Sequence, residues 1–164
     1  MAATKKTSDY TSRQIDILAM NGEFSDRLFE LDQSLYGKKN TSGKVCAGIQ
    51  KLAQRWVIEF LTPLGSIPYL TNRGTIFLNS IRSGKIRTEL DATLLFNFAK
   101  DQAAYNLIQE DEAGTYPDDE KYAEAGLLGV KVLTGEKLSI SVKINSVAGA
   151  SRVFVVPVAV VPAR

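Results

Sequence analysis

Leu138-Ser-Ile-Ser-Val-Lys-Ile144 decides the fold. Leu138, Ile140, Val142 and Ile144 alternate strictly with Ser139, Ser141 and Lys143. Side chains of a strand point to opposite faces in turn, so this pattern predicts a strand with one face on a core and one in water. Upstream, Leu128, Val130 and Val132 alternate with Gly129 and Lys131, and Thr134-Gly-Glu136 supplies a turn. Downstream, Asn145 to Arg152 reads as a loop, and Val153 to Val161 as a β-branched third strand with Pro157 inside it and Pro162 closing it. Proline cannot donate to a ladder, which places this last strand at a sheet edge or at a bulge.

Before this unit the period is helical. Ile49, Leu52, Ala53, Trp56, Val57, Phe60 and Leu61 form the i, i+3, i+4, i+7 stripe of an amphipathic helix, with Lys51, Gln54, Arg55 and Glu59 on the other, polar face. Pro63 and Gly65 end that helix, and a turn-rich loop runs to Gly74. A short helix follows, burying Ile76, Phe77 and Ile81. Thr88 and Asp91 approximate a capping box and open a third helix that reaches about Glu110. On it Leu90, Leu94, Phe98, Tyr105 and Ile108 line the one apolar face of an amphipathic helix. An acidic loop, Asp111 to Glu120, precedes the strands. The fold class is therefore α+β, with amphipathic helices packed on a small C-terminal, mainly antiparallel three-stranded β-unit. Residues 1–44 form an N-terminal arm with a short helix near Ser25 to Tyr36, and residues 45–164 form the α+β domain.

The residue inventory is poor in chemistry. The 164 residues include no histidine, which removes the commonest general base and metal ligand. The single cysteine, Cys46, lies among small and apolar neighbours and reads as a packed core thiol. Gly37 to Gly43 does not have the spacing of a phosphate loop, and no dinucleotide fingerprint is present. The carboxylates of residues 110–120 lack an apolar pocket to raise an acid's pKa and lack EF-hand order. No catalytic residue, metal or cofactor is expected. The first dozen residues lack a signal-peptide apolar core, and no apolar run is long enough for a membrane span, so a cytoplasmic site of synthesis is expected.

Charge is unevenly spread. Nine basic residues between Gly37 and Arg87 face one acid, Glu59, whereas eight acids between Asp101 and Glu124 face one base, Lys121. Such asymmetry can steer a charged partner or can neutralise itself within one domain. Arg73, Arg82, Lys85 and Arg87 could contact phosphate, so a nucleic-acid- or anion-binding module over residues 38–87 is the alternative reading. No nucleic-acid module accompanies the span, and nucleic acid is not the expected partner.

Lys51-Leu-Ala-Gln-Arg-Trp-Val-Ile-Glu-Phe-Leu-Thr-Pro-Leu-Gly65, then Pro68 and Asn72-Arg-Gly-Thr75, resembles the baseplate wedge and sheath-initiator family of contractile phage tails. The resemblance covers Val45 to Val161 and is most specific at Leu61-Thr-Pro-Leu-Gly65. It implies a non-enzymatic virion subunit, present in several copies in a symmetric ring and assembled in the host cytoplasm. Its implied partners are baseplate wedge proteins, the tail sheath protein and tube-proximal hub proteins. It further implies that the sheet around Leu138, Ile140, Val142, Ile144, Val153, Val155 and Pro157 accepts an extended sheath strand. Wedge contacts fall to Arg73, Gly74, Arg82, Arg87 and Glu110. The chain departs from the family after the long helix: Ile108-Gln-Glu-Asp-Glu112 has no Glu-Pro-Arg element. Another tail or neck connector is the milder alternative.

Overall fold

A computed structural model describes residues 16–17, 45–86, 88–133 and 137–159. The described elements are β1 (Asp16–Ile17), β2 (Val45–Cys46), α1 (Ile49–Leu61), α2 (Phe77–Arg82), α3 (Glu89–Ala113), β3 (Tyr122–Leu133), β4 (Lys137–Ser146) and β5 (Ser151–Ala159). The chain is α+β, with helices first and an antiparallel β3-β4-β5 sheet in the C-terminal part. The helix expected near Ser25 to Tyr36 lies outside the described residues. Two residues of the arm do join the domain: Asp16 pairs with Cys46 and Ile17 with Val45, and Asp16 accepts a 3.0 Å bond from the Gln54 amide.

One core holds the layers together. Leu138, Ile140, Val142 and Ile144 of β4 and Phe154, Val156 and Val158 of β5 point inward and are buried. They meet an aromatic cluster from the helices. Trp56 stacks on Phe60 at 4.6 Å and meets Phe154 edge-on at 5.7 Å. Phe60 in turn contacts Phe77 at 4.7 Å and Phe96 at 5.3 Å. Offset and tilted aromatic pairs of this kind add to the area they bury.

The capping box forms as its spacing predicts. The Thr88 hydroxyl accepts the Asp91 N–H at 3.1 Å, and the Asp91 carboxylate accepts the Thr88 N–H at 3.0 Å. Helix α3 then runs to Ala113, one turn further than its sequence pattern indicates. Strand β3 begins at Tyr122, earlier than the alternation at Leu128, and a register shift lies between Leu127 and Gly129. That bulge corrects the expected facing of Leu128: an extra residue reverses the alternation locally, and Leu128 turns outward at 57% exposure.

Two helix faces depart from what their amphipathic patterns suggest. The polar side of α1 is not wet: Lys51, Gln54 and Glu59 are buried and Arg55 is largely so. The apolar face read on α3 is not in the core: Leu90, Leu94, Phe98, Tyr105 and Ile108 are all exposed, whereas Ala92, Phe96, Ala99, Ala103 and Leu107 are buried. The alanines let α3 lie close to α1 and the sheet, so the bulky stripe faces away.

Candidate functional site

The buried polar side of α1 carries one charged residue per turn, Lys51, Arg55 and Glu59, and each meets a partner from elsewhere in the chain. Lys51 pairs with Glu120 at 2.9 Å, and Glu120 also accepts the Gly48 N–H at 2.9 Å. A carboxylate at this helix start complements the macrodipole and replaces an absent side-chain cap. The expected polar acidic loop is thus anchored at Glu120, which is fully buried. Arg55 donates to Asp111 at 2.7 Å and to the Glu120 carbonyl at 2.9 Å, and stacks 4.0 Å over the Tyr116 ring. Asp111 accepts the Tyr122 N–H at 2.7 Å, joining the end of α3 to the start of β3.

Glu59 organises the loop that follows α1. Its carboxylate accepts the Gly74 N–H at 2.7 Å, the Asn106 amide at 2.6 Å and the Arg73 guanidinium at 2.6 Å. Arg73 also reaches Glu110 at 3.1 Å. Thr62 and Thr75 close the loop base, Thr75 N–H donating to Thr62 C=O at 2.8 Å and Leu64 N–H to Thr75 C=O at 2.9 Å. Gly74 is required here: its φ is +89°, and a Cβ would lie 2.4 Å from the Thr62 carbonyl oxygen. The motif Leu61 to Thr75 is therefore a clamped loop whose tip, Ile67, Tyr69 and Leu70, is held out in solvent.

The electrostatics follow these contacts. Burial lowers the Arg73 pKa, but hydrogen bonds and charge from Glu59 and Glu110 outweigh it and hold the pKa above its ordinary value. Burial acts upward on Glu110, yet Arg55, Tyr116 and Arg73 pull its carboxyl below the usual range. Burial pushes the Cys46 thiol up to about 11, in keeping with a packed core residue. Part of the opposite charge of the two biased spans meets inside the domain: Lys51 pairs with Glu120, Arg55 with Asp111, and Arg73 with Glu110 as well as with Glu59. Among the described residues no cluster of three His, Cys, Asp or Glu side chains could hold a metal. No described helix is long and apolar enough to cross a membrane.

The residues expected to contact partners divide accordingly. Arg73, Gly74 and Glu110 come together: Arg73 and Gly74 both donate to Glu59, and Arg73 also donates to Glu110. Arg82 is exposed on α2, and Arg87 lies outside the described residues. Leu138, Ile140, Val142 and Ile144 face the core, and β4 is paired on both sides. Its main chain has no free edge.

Strand β5 differs. It lies at the end of the sheet, and no described strand pairs with its outer side. The hairpin bond from Ser146 N–H to Ala150 C=O, 2.8 Å, sets the phase of the β4–β5 ladder. In antiparallel pairing, bonded and non-bonded pairs alternate. Even-numbered residues of β5 therefore bond β4, and Ser151, Val153, Val155 and Pro157 turn their main-chain groups to the open edge. Pro157, opposite Ser139, takes one of the positions where a missing N–H costs the ladder nothing. The proline in the sequence points to the edge; the phase could be read only from the hairpin. No family model, curated protein or solved structure matches this chain.

Proposed function

We propose that this chain is a structural subunit of a contractile-tail baseplate that starts the sheath by accepting an extended sheath segment on β5. The observation that carries this reading is the open β5 edge, with N–H groups of Val153 and Val155 and the carbonyls beside them directed away from β4. A strand added there gains a continuous antiparallel or parallel ladder, with main-chain bonds for affinity and side-chain alternation for specificity. Pro157 lacks an N–H, so it ends the usable edge and limits the guest to a short segment opposite residues 151–156. The buried side chains of β4 hold the acceptor strand in place and do not touch the guest. The clamped loop after α1, fixed by Glu59, Arg73, Gly74 and Glu110, faces the wedge proteins and stiffens that contact. The role needs no catalytic group, cofactor or metal.

Val155→Pro tests the proposal. The Val155 N–H points outward, so proline there removes a guest bond and leaves the β4–β5 ladder whole. The variant keeps the wild-type circular dichroism and cooperative melt, while particles that carry it lack sheath; Val155→Ala assembles normally. Val153→Pro interrupts the same edge and serves if Val155→Pro fails to fold. Extended sheaths of normal length on a folded proline variant contradict the reading.

A further inference from the structure

The outer face of α3 is a broad exposed apolar surface, separate from the β5 edge. Leu90, Leu94, Phe98, Tyr105 and Ile108 are exposed over most of a 25-residue helix, Phe98 at 56%. From Leu94 the apolar positions and Asp101 fall at 94, 98, 101, 105 and 108, alternating steps of four and three. That is the spacing of a coiled-coil seam, made to meet another helix along its length. An apolar helix face of this extent left in water marks an interaction site. Midway along it, between α3 and the clamped loop, lies a cleft of about 370 Å³ lined by Leu64, Phe98, Asp101 and Tyr105 among others. It can seat one large side chain of a guest.

Charge says which helix fits. The exposed acids of α3, Glu89, Asp101 and Glu112, flank or interrupt the seam, against one partly exposed base, Lys100, which sits 3.4 Å from Asp101. A second copy of α3 would set Asp101 near its own counterpart, parallel or antiparallel, because Asp101 lies close to the middle of the stripe. Like charges facing across a helix pair are unfavourable. The chain's own segment 25–36 contributes Asp26, Glu30 and Asp32 against Arg27, and so repels rather than complements. We infer that α3 receives an amphipathic helix of another protein, with an apolar heptad face, basic flanks and a lysine or arginine opposite Asp101.

The probe is a synthetic 28-residue helix with leucine at its a and d positions and lysine at e and g, compared with the same helix bearing glutamate at e and g. Binding to the full chain is measured by fluorescence anisotropy. The lysine helix binds the wild type, and the glutamate helix binds at least about tenfold more weakly. Phe98→Ser and Asp101→Lys each weaken the lysine helix by about tenfold or more, and Asp101→Lys narrows the preference between the two helices. Both side chains are exposed, so the folds of these variants are unchanged by circular dichroism. Failure of the lysine helix to bind, equal binding of both helices, or binding indifferent to Phe98→Ser overturns the inference. So does self-association of the wild type in sedimentation that Phe98→Ser abolishes, which would assign the face to a second copy. Sheath assembly on β5 is untouched by either outcome.

Discussion

Helices α1 and α3 lie against one another and invert the usual rule in opposite directions. Helix α1 buries charges: Lys51 and Glu59 are inside and Arg55 nearly so, each satisfied by an ion pair. Helix α3 exposes hydrophobes, with Leu90, Leu94, Phe98, Tyr105 and Ile108 in water and alanines in the core. The difference teaches where each helix finds its partners. The charged side of α1 is covered by its own chain as its apolar stripe is, with Ile58 left outside, so that polar face is interior and must be paired. Helix α3 is covered on one side only, and its bulkier stripe has the composition of a surface awaiting a partner.

Phe96 and Phe98 put that comparison to the sharpest test. Two residues turn a helix by about 200°, so these rings face opposite ways on one element. Phe96→Ala empties a fully buried site and is expected to cost about 3–5 kcal/mol in urea unfolding. Phe98→Ala removes an exposed ring and is expected to change stability by no more than about 0.5 kcal/mol. Similar losses at both positions would break the comparison, because the outer stripe would then be core. A somewhat smaller effect is expected at Glu59. Glu59→Ala strands the Gly74 N–H, the Asn106 amide and Arg73 at once. The expected loss is about 2–4 kcal/mol, discounted for the partial exposure of Arg73, with faster proteolysis within residues 66–71. Unchanged stability would show that the buried charges of α1 are decorative.

A smaller loss than that at Glu59 is expected in acid. The Glu110 carboxyl titrates below the ordinary range, because Arg55, Tyr116 and Arg73 overcome the upward push of burial. A lowered carboxylate pKa contributes stability that is present above the unfolded value, about 4.3, and is lost as pH falls through the folded value. Wild-type stability is therefore expected to drop below about pH 4.3, and Glu110→Gln to show a shallower acid limb in urea melts at pH 7 and pH 3. Glu110 is partly exposed, so the difference should stay below about 1 kcal/mol. A steeper limb in the variant would contradict the assigned contacts.

Much of this was legible in the residues. The Ile49–Leu61 stripe, the Thr88–Asp91 capping box, the strict alternation of β4 and the edge character of a strand holding Pro157 all depend on local chemistry, which a sequence displays. Periodicity shows that a face is apolar, but not what covers it. On α3 two stripes competed for the core, and Ala92, Ala99 and Ala103 won because small residues permit close approach. The burial of the polar side of α1 is hidden from its sequence for the same reason: the partners of Arg55, Asp111 and Glu120, are 56 and 65 residues further along the chain. The bulge at Leu127 to Gly129 is set by pairing to β4 and leaves no mark in the alternation of β3 alone. For the candidate site, Pro157 pointed to β5, while the choice of Val153 and Val155 as the outward-facing donors required the phase of the hairpin.

Residue-resolved amide hydrogen exchange along β5 tests the central claim most directly, in the free chain and in the sheath-bearing particle. In the free chain the account predicts an alternation, with Phe154 and Val156 protected by β4 and Val153 and Val155 exchanging fast. If the proposed strand addition occurs, Val153 and Val155 are expected to become protected in the particle. Protection of Val153 and Val155 already in the free chain, or their continued fast exchange in the sheathed particle, would contradict it.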